Sequence, residues 1–439
     1  MPLHRLLRAA RSGDDSIASI DRILDVAREF VGMDVAFLSR WHDDLQEYEH
    51  FSGPMSSFGV RAGDALPLSG SFCIRVMDGR IKRYVPDTSL EPEVRDLEVT
   101  AAAGIGSYVG VPVRFADGEF FGMLCCASHA ATDALGPRDV RFLEMIAQII
   151  AERLDGDRAE RQRRDAIELR IRATIAAADF AIHLQPIVRL VDRKVVGYEA
   201  LARFGGPLAR TPDVWFAEAR SVGLDGELDL AVARRALRMV HVIAPDTYLS
   251  INVEPPTLSD PRFLKLAAPH ARRVVVEVTE HAEVDDYASL AVAATSIRMA
   301  GMRLAVDDAG AGFASFRHIV QLAPDIIKAD LSLTRGIDAD PARRAVVRAL
   351  VGFAAETGAT LISEGVETAA ECATLSLLGV GYGQGYWLGR PAPVDDAKIL
   401  AAAALSKHRS TGAARRNPSR PPALVPPRAI HLVAADKLH

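Results

Sequence analysis

The stretch Arg303–Phe316, RLAVDDAGAGFASF, holds an apolar run (Leu304, Ala305, Val306) that ends in two adjacent carboxylates, Asp307 and Asp308, and then breaks into glycine and alanine. A short apolar run bounded by turn residues reads as a buried strand. Two like charges at its end need an offset, and a bound cation, a nearby arginine or a phosphate held by the glycines each implies a different chemistry. The phosphate loop fits poorly, because no Lys-Ser/Thr pair follows GAG and the acids before it repel an anion.

The same pattern recurs outward in both directions. Strand candidates in order are FAIHLQPIV, VVGYEAL, TYLSINV, RVVVEVTE, MRLAVDD, DIIKADL, TLISEGVE and GQGYWLG, with amphipathic stretches such as YASLAVAATSIRMAG between most of them. Eight such alternations predict a parallel (β/α)8, TIM-like barrel over residues 180–402, the α/β half of a multidomain chain. Nearly every apolar run closes on a charge or amide: Gln185, Glu199, Asn252, Glu277, Asp307 with Asp308, Lys328 with Asp330, Glu364 and Gln384. Barrel strands converge at their C-terminal ends, so these residues become neighbours. An ion pair balances one buried acid, but five converging acids call for divalent cations. Carboxylates with an amide oxygen form a hard site suited to Mg2+ or Mn2+. Two such ions about 3.5–4 Å apart activate water and stabilise the attacking and leaving oxygens of phosphodiester hydrolysis. Lys328 would neutralise developing charge or hold the attacking water. In EALAR, Glu199, Leu201 and Arg203 share a strand face, which sets a ligand, an apolar contact and a phosphate-binding fork side by side.

These motifs, QPIV, YEALAR, INV, EVTE, VDDAGAG, IIKAD, SEGVE and GQGYWLGRPAP, span Phe180 to Leu400 and resemble those of the EAL-domain phosphodiesterases, which linearise cyclic di-GMP to pGpG. The resemblance implies that Glu199, Asn252, Glu277 and Asp307 hold one metal, and that Asp307 bridges to a second helped by Asp308 and Glu364. It also implies that Lys328 positions the hydrolytic water with support from Asp330, and that Gln185, Leu201, Arg203 and Gln384 contact the nucleotide. Glu280 and Glu367 would hold the loop after Asp308 and the metal ligands in place. The chain departs from the family at DDAGAG, where Ala309 and Ala311 replace Phe and Thr in a loop that in the family couples the metal site to the dimer interface. It departs again at NVEP, which adds Glu254 near the mouth, and at Ser363, where alanine is usual. Two function classes follow: an active cyclic di-GMP phosphodiesterase, or a catalytically silent cyclic di-GMP receptor or protein-interaction module. The complete ligand set favours the first. No GGDEF-type run accompanies it, which argues against synthesis of the same nucleotide.

Residues 16–154 read as a smaller α+β domain. A helical pattern (Ile17, Ile20, Leu24, Ala27, Val31) precedes strand-like segments and a hairpin around Asp117-Gly118, and a second helix starts near Pro137. This half resembles a GAF sensor domain on SFCIRVMDGR, YVPDTS and YVGVPVRFADGEFFGMLCCAS. Such domains hold varied ligands, and none is assigned here. Cys73 reads as a small buried hydrophobe, and Cys125 and Cys126, adjacent in a strand, point to opposite faces. Residues 155–179 read as a charged linker helix. The apolar stripe Phe142, Met145, Ile146, Ile149 and Ile150 before it predicts pairing with a second copy, hence a homodimer.

Composition sets the outer bounds. At 439 residues, 49% apolar and 25% charged, the chain has the make-up of a water-soluble protein with two or three cores. No window approaches a membrane span, and the N-terminal arm (residues 1–15) lacks the apolar core of a secretory signal. Four irregularly spaced cysteines make neither a disulfide framework nor a zinc motif, so a cytoplasmic protein is expected. The net charge of −5 divides unevenly: from Ser406 onward it is +6, which leaves −11 for the rest. The tail, residues 403–439, is basic and rich in Pro and Arg, a composition that cannot pack a core. No nucleic-acid polymer is expected as a partner.

Overall fold

The structure, a computed structural model, describes residues 16–205, 210–278, 287–309 and 319–393. The N-terminal arm, Glu280, Ala311 and the basic tail lie outside them. The chain divides at Asp165/Ala166 into two compact units.

The first unit is built on six antiparallel strands: β1 (Val35–His42), β2 (Leu45–Ser52), β3 (Ala65–Pro67), β4 (Tyr84–Val85), β5 (Ser107–Arg114) and β6 (Phe120–Ser128), in the order β3-β2-β1-β6-β5-β4. Period-two alternation separates two cores across this sheet. Val109, Val111 and Val113 of β5 with Leu124 and Cys126 of β6 pack against Ile20, Ile23, Leu24 and Ala27 of the helix Ser16–Val31. Tyr108, Met123 and Cys125 face the opposite core, with Phe72 and Cys73 of the short helix Phe72–Met77. The expected hairpin is present as β5–β6, with Gly118 at φ +87° in its turn.

One helix, Pro137–Ala177, runs across the division between the units. Its first turns complete the N-terminal core: Leu143, Ile146 and Ile150 are fully buried there, Phe142 stacks on Phe30, and Ile149 packs against the cluster. The stripe expected to recruit a second copy is therefore consumed within its own domain, apart from the exposed Met145. A domain with a helix-covered sheet buries such a stripe before any partner meets it. Further along, Ile167 and Ile171 pack on Trp215, Ala219, Leu224 and Leu228 of the second unit.

The second unit is a closed eight-stranded barrel: β7 (Phe180–Arg189), β8 (Val195–Phe204), β9 (Tyr248–Asn252), β10 (Val274–Val278), β11 (Arg303–Ala309), β12 (Ile326–Ala329), β13 (Thr360–Ser363) and β14 (Tyr382–Gly383). A ninth strand, β15 (Ala392–Pro393), adds to β7. Two expectations need correction. The barrel is not wholly parallel, because β7 runs antiparallel to both β8 and β14. Only Leu190 to Lys194 separate β7 from β8, and a parallel crossover needs a dozen or more residues. The last barrel strand is Tyr382–Gly383, which takes in only the first residue of the expected GQGYWLG; its Gly385–Gly389 segment instead folds into a turn closed by Leu388 and Gly389 N–H bonds to Gly385 O.

Alternation along the strands separates an outer core from a barrel interior. Leu249 and Ile251, Val274 and Val276, Leu304 and Val306, and Ile327 and Ala329 belong to the large core shared with the helices. The interior holds a small apolar layer of Ile187, Val275, Ala305, Ile326 and Ile362. Two residues beyond the last four of these stand Glu277, Asp307, Lys328 and Glu364. The apolar plug and the polar layer above it thus come from one periodicity.

Candidate functional site

Lys328 is the centre of the polar layer. It is 1% exposed, and its Nζ lies 2.6 Å from Glu364 Oε1, 2.9 Å from Glu277 Oε2, 3.2 Å from Asp307 Oδ2 and 3.4 Å from Glu199 Oε2. Glu199 also accepts hydrogen bonds from Asn252 Nδ2 at 3.0 Å and Gln384 Nε2 at 2.6 Å. Gln384 Nε2 donates as well to Gln185 Oε1, and Gln185 Nε2 donates to the carbonyl of Gly389. Because β7 is antiparallel, Gln185 sits opposite Glu199 in register, inside its strand rather than at the C-terminal end.

Asp307 joins two carboxylate groups. One oxygen each from Glu199, Glu277 and Asp307 lie within 4.8 Å of one another, and so do one each from Asp307, Asp308 and Glu364. Consecutive strand residues normally point to opposite faces. The alternation fails here because the β11–β12 register shifts between Val306 and Ala309, and Asp308 takes φ +55°, a region that Asp tolerates better than most residues. Asp308 N donates to Asp307 Oδ1 at 2.9 Å. Ala309 is the last residue of β11, fully buried and paired with Ala329, so it belongs to the strand and not to a mobile loop.

The electrostatics follow from five acids around one ammonium. Burial drives Glu277 up to about 8, with Glu199 and Asp307 adding to the rise against Lys328 and the Ser250 hydroxyl. Burial likewise pushes Glu364 well above the usual carboxylate range despite Lys328. Glu199 goes the other way: burial would raise it, but Lys328 and the amides of Gln384 and Asn252 outweigh burial. Burial opposes the charge on Lys328 too, yet Asp307, Glu199, Glu277 and Glu364 hold its pKa well above normal. One cation therefore underfills the site. The donor atoms are all oxygen, and Gln384 Oε1 is buried with no hydrogen-bond partner. Both observations fit hard divalent cations and a polar ligand.

The structure does not bring every expected residue to this centre. Asp330 Oδ1 accepts from Ser332 N–H and caps the helix Leu331–Thr334. Arg203 Nη1 donates to the carbonyl of Ala202, and burial together with Arg203 lowers the His183 pKa. Leu201 is half-buried opposite His183. Glu367 pairs with Arg335 at 2.6 Å on the surface. The buried acid that holds this region is Glu371, whose carboxylate accepts from the N–H groups of Gly336, Glu367 and Thr368. Sequence reading missed it, although Thr368-x-x-Glu371 is a capping-box signal. It also missed Ser250, two residues before Asn252 on the same face, which donates to Glu277 Oε1.

Comparison with known proteins agrees with this geometry. Residues 168–391 match the EAL domain family and residues 15–154 the GAF domain family. An uncharacterized protein of Mycobacterium tuberculosis is 28% identical over 259 residues, 55% of this chain and 84% of that one. The probable cyclic di-GMP phosphodiesterase PdeB of Escherichia coli is 30% identical over 244 residues, 52% of this chain and 45% of its own length. The EAL enzyme Bd1971, solved bound to cAMP and cyclic-di-GMP, superposes with a TM-score of 0.52 at 17% identity, covering 84% of this chain and 93% of that one, and bears on the fold alone.

Proposed function

The chain belongs to the EAL domain family, and from that premise we propose that it hydrolyses cyclic di-GMP to linear pGpG in a divalent-cation-dependent reaction, within bacterial second-messenger signalling. The observation that carries this reading is Lys328, fully buried among four carboxylates that, with Asp308, form two overlapping groups through Asp307. Glu199, Asn252, Glu277 and Asp307 would hold one ion, and Asp307, Asp308 and Glu364 a second. When bound, Mg2+ or Mn2+ supplies Lewis acidity and offsets charge at the scissile phosphodiester.

The side chains carry the remaining work. Lys328 donates to the attacking water and stabilises charge on the phosphoryl oxygens. Glu364, the most exposed of its four partners, receives the water's proton in its ionised form, in which burial makes it a stronger base. The water oxygen bonds to phosphorus, one ribose 3′-oxygen leaves and is protonated, and the ring opens to a linear dinucleotide with a 5′-phosphate. Gln384 Oε1, lacking a partner in its buried position, accepts from the nucleotide beside Gln185, and Leu201 and Arg203, further along β8, would contact it away from the metal centre. Asp330 acts only through the backbone it caps, after Lys328. The GAF domain regulates the reaction, which takes place in the cytoplasm. No described helix is long and apolar enough to cross a membrane.

The test is purified protein with cyclic di-GMP and Mg2+ or Mn2+, following pGpG by chromatography beside Glu199→Ala. Turnover that needs the metal and Glu199 is the expected result. Binding without turnover in either metal would establish the silent-receptor reading instead.

A further inference from the structure

We propose that Cys73 and Cys125, in the core of the N-terminal unit, are a redox-active thiol pair that closes to a disulfide when it meets a hydroperoxide. Their Sγ atoms lie 3.5 Å apart, and both cysteines are free and buried. The Tyr108 hydroxyl touches both, at 3.1 Å from Cys125 Sγ and 3.4 Å from Cys73 Sγ. These three polar atoms close a triangle, with the buried Gln46 side chain also against Cys73, beside the apolar Val35, Phe37, Phe72 and Met123. Gly110 makes the room for it. Gly110 pairs with Cys125 across β5 and β6, and a Cβ placed there would lie 2.2 Å from Tyr108 Oη and 3.0 Å from Cys125 Sγ. Cys126, one residue on, faces the opposite core and cannot substitute for its neighbour.

A disulfide needs its sulfurs at about 2.05 Å. At 3.5 Å the two sulfurs are in van der Waals contact, so no other atom stands between them. Either thiol of the pair can open the reaction, and Cys73 stands below for the one that does. In the first step its sulfur attacks the terminal peroxide oxygen. The O–O bond breaks, and hydroxide (from hydrogen peroxide) or alkoxide (from an organic hydroperoxide) leaves as water or alcohol with the thiol proton, so Cys73 becomes a sulfenic acid. In the second, Cys125 Sγ attacks that sulfur. The S–S bond forms, the S–O bond breaks, and water leaves with the Cys125 proton. Two thiols have then given two electrons to one hydroperoxide. This inference concerns the N-terminal unit alone and stands whether or not the barrel hydrolyses cyclic di-GMP.

The experiment uses the full chain, fully reduced and then exposed to hydrogen peroxide. Remaining thiols are alkylated under denaturing conditions, and the peptides are mapped by mass spectrometry without reduction. The expected result is loss of two of the four thiols, a cross-linked Cys73–Cys125 peptide that disappears on reduction, and alkylated Cys126 and Cys372. The cross-link should persist in Cys126→Ser and vanish in Cys125→Ser. Four alkylatable thiols after oxidation, or oxidised Cys73 without a cross-link, would overturn the proposal.

Discussion

Replacing Lys328 by methionine tests the site most directly, because it removes one charge while keeping much of the side-chain volume. The ammonium faces four carboxylate oxygens between 2.6 and 3.4 Å away. At an effective dielectric constant of about 20, each contact has a gross Coulomb energy of about 5–6 kcal/mol. Desolvation of the buried ammonium cancels most of that sum, and the net cost of removing one partner from a buried ionic cluster is about 3–5 kcal/mol. For a domain of this size that is a fall in the barrel's Tm of about 6–20 °C when a chelator is present. Divalent cations change the answer. Without the ammonium the carboxylates bind a cation more tightly, so excess Mn2+ should raise Tm more in Lys328→Met than in the parent, and more than halve the deficit. Turnover of cyclic di-GMP should nevertheless fall by about 10²–10³-fold, as expected for loss of a transition-state donor. Differential scanning calorimetry with chelator and with Mn2+, beside pGpG formation, measures all three. A Tm deficit unaffected by metal, or turnover like the parent's, would refute the account of Lys328 as both internal counter-ion and catalytic group.

Three further outcomes follow from neighbouring residues. Asp229 is buried, accepts from Glu254 N–H, and burial pushes it up to about 7. Its folded pKa lies above its unfolded one, so the folded state holds the extra proton and stability falls as pH rises from about 4 to about 7. Asp229→Asn keeps an acceptor and should flatten that slope, gaining up to about 4 kcal/mol on the parent at pH 8 in urea melts; parallel curves would count against it. For Glu371→Gln one of three backbone N–H groups loses its acceptor, at about 1–3 kcal/mol by chemical denaturation. Burial alone would raise Glu371, but those bonds hold it low, so its contribution should be present at neutral pH and vanish as acid protonates it. Gly385→Ala places a Cβ 2.2 Å from Val366 N and 2.3 Å from Val366 O, at a φ of +152°. Backbone must move beside Gln384, so Tm should drop and KM for cyclic di-GMP should rise; an unchanged KM with lower Tm would detach Gln384 from substrate binding.

Much of the barrel was legible because an apolar strand run recurs eight times, most of them closing on a charge or an amide. Glu277, Asp307, Lys328 and Glu364 each follow an interior apolar residue by two positions, and period two is a local property. What went unread was either non-local or masked by a stronger neighbour. Glu371 was overlooked because Glu367, in the same short segment, sits nearer the motif, yet only the fold shows which acid turns inward. The stripe Phe142–Ile150 announced a buried helix face without naming what buries it, since amphipathicity specifies a face and not a partner.

The amino-acid order alone therefore determined the two halves of the chain, the barrel class and the chemical type of its mouth. All of these rest on patterns within about ten residues. Tertiary structure decided the rest: that β7 also runs against β14, that Lys328 stands at the centre of the acids, and that Asp308 turns in beside Asp307 at a register break. It also set Cys73 against Cys125. Strand direction, register shifts and contacts between residues tens of positions apart depend on how the whole sheet closes. Side-chain period is the same in a parallel or an antiparallel strand and does not encode them; only the short link Leu190 to Lys194 gives one direction, that of β7 against β8, locally.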